Sequence, residues 1–178
     1  MTHFAITTIG TDRPGMVAAV SGSLSREGCN LEDSTMSILG GQFAILLVID
    51  APATETVAGL QAALAEPARD HGLIVHVTQV ADDPDTADRT SLWTVAVYGA
   101  DKPGIVHGIT TLLADAGANI CDMSTRVTGD TPERLYAMVI DIELPPDADA
   151  VELGRLLDER ATVLGVKASI HASDADML

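Results

Sequence analysis

The feature that most narrows what this chain can fold into is an internal repeat. GTDRPGMVAAVSGSLSREGCNLED begins at Gly10, and GADKPGIVHGITTLLADAGANICD begins at Gly99, 89 residues later and without a gap. Gly10/Gly99, Asp12/Asp101, Pro14/Pro103, Gly15/Gly104, Val17/Val106, Leu24/Leu113, Gly28/Gly117, Asn30/Asn119 and Asp33/Asp122 are identical pairs. Arg13/Lys102, Met16/Ile105, Val20/Ile109 and Leu31/Ile120 are similar. The shared Gly, Pro and Asn positions are the ones that set turns and helix ends, so both halves need the same local backbone. A chain of 178 residues organised this way holds two small units. Ala81–Thr90, ADDPDTADRT, is polar and acidic and carries Pro84, as a linker would. The expected organisation is a first unit over 1–81, a linker over 82–90 and a second unit over 91–178.

Within the first copy, alternation over His3 to Ile9 predicts a strand and Gly10 to Arg13 a turn. Pro14 suits a helix start, Met16, Val17, Val20 and Leu24 recur at helical spacing, and Gly28 suits a helix stop. Strands are expected over Leu31 to Leu39 and Gln42 to Asp50, joined by a Gly40-Gly41 hairpin, with the latter apolar enough to be central. A second helix, Thr56 to Ala65, is expected to end near Pro67 and Gly72, before a strand from Leu73 to Val80. The second copy repeats the order: Leu92 to Tyr98, helix Pro103 to Ala116, Ile120 to Val127, Arg134 to Leu144, helix Ala150 to Leu164, and Val166 to His171. The order βαββαβ, twice, predicts an α+β chain of two ferredoxin-like units, each a four-stranded antiparallel sheet with two helices on one face. The other face must be covered or polar.

Composition removes several functions. A formal net charge of −16, with 10 Lys and Arg, repels phosphate backbones and anionic lipid surfaces. The strand aromatics that stack RNA bases are also missing. The N-terminus, MTHFAITTIG, lacks the pattern of a signal peptide, and the aliphatic run Ala44 to Ile49 is too short to span a bilayer. A cytoplasmic protein is expected. Neither G-x-S-x-G, a P-loop nor G-x-G-x-x-G occurs, so no enzyme activity and no cofactor are expected. The five His have no metal-ligand spacing, and Cys29 and Cys121 lack a C-x-x-C partner, so no metal is expected either. Met36, Met123 and Met138 are expected as core filler, Cys29 as a small buried thiol, and His107 as a partly exposed helix residue.

GTDRPGMV with GCNL, and again GADKPGIV with GANI, resembles the ACT domain across nearly the whole chain. A free-standing tandem pair resembles the glycine cleavage system transcriptional repressor group, regulators that contain ACT domains alone. The resemblance implies a regulator that binds glycine or another small amino acid and acts through a protein partner without contacting DNA. A homodimer is also expected. It further implies a ligand held between two domains, by the loop after the first strand and the start of the second strand. Carried over, that gives Asp12, Arg13, Pro14, Gly15, Asn30 and Leu31, then Asp101, Lys102, Pro103, Gly104, Asn119 and Ile120.

These residue types suit that chemistry. A helix N-terminus has unpaired N–H groups and partial positive charge, a seat for a carboxylate. Gly15 and Gly104 remove the Cβ beside it, and Asn30 and Asn119 have both donor and acceptor for a zwitterion. Structural roles compete: Asp12 and Asp101 are expected first as helix caps and second as ammonium partners. Gly15 and Gly104 also suit close packing, and Asn30 and Asn119 also suit plain turns. The rival functional reading is an assembly module of the same type with no metabolite.

Overall fold

The computed structural model describes residues 2–80, 91–129 and 134–173. The chain divides into two compact units, 1–85 and 86–178. The expected linker at 82–90 lies outside the described residues. Unit one contains β1 (Thr2–Thr11), α1 (Met16–Arg26), β2 (Asn30–Leu39), β3 (Gln42–Ala51), α2 (Val57–His71) and β4 (Ile74–Gln79). Unit two contains β5 (Leu92–Ala100), α3 (Ile105–Asp115), β6 (Asn119–Thr128), β7 (Leu135–Glu143), α4 (Ala150–Leu164) and β8 (Val166–Ala172). The sheets run β2-β3-β1-β4 and β6-β7-β5-β8, antiparallel throughout. This is the ferredoxin-like fold the repeat predicts.

Period-two alternation decides which face is buried. In β3, Phe43, Ile45, Leu47, Ile49 and Ala51 face the helices and are buried. They meet Met16, Val20 and Leu24 of α1 and Leu60 and Leu64 of α2 in one core. Val97, Met138, Ile140, Ile109, Leu113 and Leu157 build its counterpart in unit two. The helices leave the edge strands β2 and β6 uncovered, and all ten residues of each are exposed. Met36 and Met123 therefore lie outside the core, 51% and 44% exposed, and of the three expected filler methionines only Met138 is buried.

Close backbone approach explains one conserved pair of the repeat. A Cβ on Gly10 would sit 2.9 Å from the Gly72 carbonyl oxygen, and one on Gly99 would sit 2.9 Å from Val166 Cα. Both glycines stay in their strands, paired with Phe43 and Tyr136, so β1 runs past the turn expected at Gly10. The helix starts also differ from expectation. Gly15 and Gly104 are the N-caps, at φ 94° and 91°, and Pro14 and Pro103 lie in the turns before them. Helix α2 continues through Pro67 to His71. Pro67 costs one hydrogen bond, but it is buried and the stop is made by Gly72 at φ 66°.

Among the differences between the two cores, one leaves a polar atom unpaired. Thr8 is fully buried, and its Oγ1 has no hydrogen-bond partner among the described residues. Val97 holds the same place in unit two. Thr8→Val keeps the branched shape and removes an orphaned hydroxyl, so it should stabilise the protein by about 1 kcal/mol and raise the melting midpoint of unit one by several degrees. Gly99→Ala should lower stability by about 1–3 kcal/mol, because the added methyl meets the backbone of Val166. Differential scanning calorimetry of both variants checks the two signs together.

Candidate functional site

The repeated motif occupies one end of each sheet. The Asp12 N–H donates to the Gly41 carbonyl at 2.9 Å, tying the loop after β1 to the β2–β3 hairpin. The Asp101 N–H donates to the Arg134 carbonyl at 3.2 Å in the same way, and its carboxylate is 3.8 Å from the Arg134 guanidinium. The Gly15 and Gly104 carbonyls accept the first helical bonds, from Ala19 and Gly108, each at 2.9 Å. All eight loop residues, 12–15 and 101–104, are exposed.

Neither Asp is the expected helix cap. Helices α1 and α3 have no side-chain cap and no acidic residue in the first turn. The other two helices are capped: Thr56 Oγ1 accepts from Gly59 N–H, and Asp149 Oδ1 accepts from the N–H groups of Val151 and Glu152. A glycine N-cap has no oxygen to offer, so the first-turn amides of α1 and α3 keep their positive potential toward solvent. The Arg13 N–H points at Met16 Sδ, 3.2 Å away, a weak acceptor. The Lys102 ammonium lies beside Gly165, at the negative C-terminal end of α4.

The other half of the predicted site is elsewhere in the same unit. Asn30 and Leu31 open β2, and Asn119 and Ile120 open β6; all four are exposed. Asn30 pairs in register with Asp50, whereas Thr11, at the loop end, pairs with Gln42. Eight strand residues separate these rows, about 27 Å. Within one unit the structure therefore does not bring Asn30 to Asp12–Gly15, nor Asn119 to Asp101–Gly104.

Residues not singled out by the sequence reading complete both ends. Opposite each Asn stands a carboxylate: Asp50 across from Asn30, and Glu143 across from Asn119, whose Nδ2 donates to Glu143 Oε2 at 3.4 Å. Asp50 Oδ1 is 3.9 Å from His3 Nε2, which is itself 3.5 Å from Glu32. The signal was present in Asp50-Ala51-Pro52 and Glu143-Leu144-Pro145, but these fall 93 residues apart, four beyond the repeat offset. At the loop end of unit one, Arg13, Gly15 and Met16 join Met36, Ile38 and Phe43 around a groove of 380 Å³. Phe43 is replaced in unit two by Tyr136, whose hydroxyl donates to Met138 Sδ. Burial, and then the nearby Asp101 carboxylate, push the Tyr136 phenol up from its ordinary value.

Cys29 packs against the edge of the first core. Burial first, and then Glu55, Glu27 and Asp50, hold its thiol above the ordinary value. The folded state thus keeps this proton to higher pH than the unfolded chain, and the contribution to stability falls as pH rises above the unfolded thiol's value. Cys121 is exposed at the bulge of β6. Iodoacetamide should alkylate Cys121 well before Cys29 at pH 8, as peptide mass mapping will register. Among the described residues no cluster of His, Cys, Asp or Glu is arranged to hold a metal, and no helix is long and apolar enough to cross a membrane.

Comparison with known proteins agrees with this architecture. Models of the ACT domain match residues 2–78 and 93–153. The glycine cleavage system transcriptional repressor of Escherichia coli is 26% identical over 171 residues, covering 95% of this chain and 89% of that protein. A UPF0237 protein of Pyrobaculum aerophilum is 36% identical over 84 residues, covering 47% of this chain and 89% of its own length. Among solved structures, an unknown protein from Galdieria sulphuraria superposes with a TM-score of 0.82 at 25% identity, covering 97% of this chain and 98% of its own. A putative glycine cleavage system transcriptional repressor superposes at 0.72, with 24% identity and 97% of each chain covered. With both units matched and the fold order shared, the chain belongs to the ACT-domain family, as a tandem of two ACT units.

Proposed function

We propose that this protein is a non-enzymatic regulator that binds a free amino acid and passes the bound state to a protein partner. The observation that carries the reading is the pair of uncapped helix N-termini behind Gly15 and Gly104, repeated where the fold offers most to a carboxylate. The name of the Escherichia coli relative, which covers 95% of this chain, places that protein in transcriptional repression. A net charge of −16 argues for a protein partner over direct contact with DNA.

In this reading the site is shared between copies. β2 is a ten-residue edge strand, paired with β3 on one side and unpaired within its sheet on the other. Pairing it antiparallel with β2 of a second chain brings Asn30 of one copy toward the Asp12–Gly15 loop of the other. A ligand held there stabilises the pair, and the partner protein responds to the pairing. The exposed edge strands also suit a rival role, assembly without any metabolite.

Thermal-shift measurement against the twenty amino acids separates the two. A native-state ligand at a hundred times its Kd adds about 2.7 kcal/mol, a rise of several degrees. At least one amino acid should produce that rise, and Asn30→Ala together with Asn119→Ala should remove it. A flat response to all twenty leaves the assembly role and removes the sensor.

A further inference from the structure

We propose that the groove of unit one selects an amino acid with a long, unbranched apolar side chain, of the methionine type, and that unit two does not. The proposal rests on the amino-acid reading above and departs from glycine as the ligand of this unit. The groove lies on the helix side of the sheet, between the start of α1 and the hairpin end of β2. Its volume of 380 Å³ falls in the lower part of the range for small-molecule sites, about 300–1,000 Å³.

Two groups of residues divide the work. Met16 and Phe43 are buried beneath the groove, while Met36 and Ile38, 51% and 50% exposed, form its wall. At one end stand Asp12 and Arg13, of opposite charge and with no ion-pair partner among the described residues. They are complementary to a zwitterion: Arg13 and the open amides of α1 face the carboxylate, and Asp12 faces the ammonium. A glycine leaves the Met36–Ile38 wall in water. A thioether or n-alkyl tail covers it, and two flexible methionines adapt to such a tail with sulfur–aromatic contact to Phe43 nearby.

The same register positions in unit two are Thr125, Val127 and Tyr136, with Ile105 in place of Met16. Both methionines are gone, a hydroxyl stands on the wall, and Tyr136 places another below it. The backbone is repeated while the surface offered to a ligand tail is changed.

Calorimetric titration of the full chain with L-methionine, L-norleucine, glycine and L-serine tests this. Methionine and norleucine should bind at least tenfold more tightly than glycine or serine. Met36→Asp and Ile38→Asp, both at half-exposed edge positions and checked by an unchanged melting midpoint, should each weaken methionine at least tenfold. Thr125→Asp should leave it unchanged. Glycine or serine binding as tightly as methionine overturns the selectivity, and so does methionine affinity that ignores Met36 and Ile38 or follows Thr125. If some other amino acid binds and methionine does not, this inference fails while the regulator survives. If none of the twenty binds, both fail. Sedimentation of Met36→Asp covers the remaining occupant: a lost dimer with unchanged methionine affinity gives the groove to a second copy, and overturns the proposal.

Discussion

Two helices have to cover a four-stranded sheet from one side, and they are not wide enough to do so. In unit one α1 and α2 bury the inner faces of β1 and β3 and reach Val77 on β4, so the core closes around Phe4, Ile6, Leu47 and Ile49. Nothing is left for β2, whose ten residues stay in water. Because α1 must return over the sheet directly after β1, its N-terminus sits at the same end as the β2–β3 hairpin, where Asp12 is held by Gly41. Exposed edge, open helix end and shallow groove are thus products of one packing limit.

How far the chain could be read from its sequence follows from the kind of signal each feature leaves. The fold order was legible because strand and helix periods alternate cleanly and because Gly10, Gly28 and their copies punctuate them twice. The helix starts were read too early: proline at the position before the cap looks like proline inside the first turn until the φ of Gly15 is known. The end of α2 was also misplaced, since Pro67 resembles a stop and only its burial, with Gly72 beyond it, lets the helix continue. The roles of Asp12 and Asp101 could not be settled by spacing, because a cap and an exposed loop carboxylate share a sequence and differ in one torsion. The groove was invisible for a different reason. Met36, which with Ile38 alternates with the polar Thr35 and Ser37, reads as core unless the reach of the helical layer is known.

The two units show how a duplicated backbone separates scaffold from chemistry. Positions under hard geometric limits are kept: Gly10 and Gly99 admit no Cβ, and Gly28 and Gly117 hold φ of 73° and 72°. Other positions have drifted: buried Thr8 to Val97 and Phe43 to Tyr136, and exposed Met36 to Thr125. Unit two also carries a polar row on its open face, with the Thr94 hydroxyl donating to Asp141 at 2.7 Å and lying 2.8 Å from Ser173 Oγ. The register puts Ala5 and Val48 at the places of Thr94 and Asp141 in unit one. Divergence runs through both layers: core replacements keep roughly the same volume, and edge replacements change polarity.

The irregularity near the start of each edge strand, between Leu31 and Asp33 and again between Ile120 and Asp122, has a consequence for neighbours in a crowded solution. A long, straight, uncovered strand is a template for any extended chain that drifts past, and proteins usually guard such borders with charge or distortion. Here the extra residue, Glu32 or Cys121, shifts the hydrogen-bonding phase, so an ordinary strand can zip along only part of the border. The same small defect limits how far any passing chain can extend either sheet.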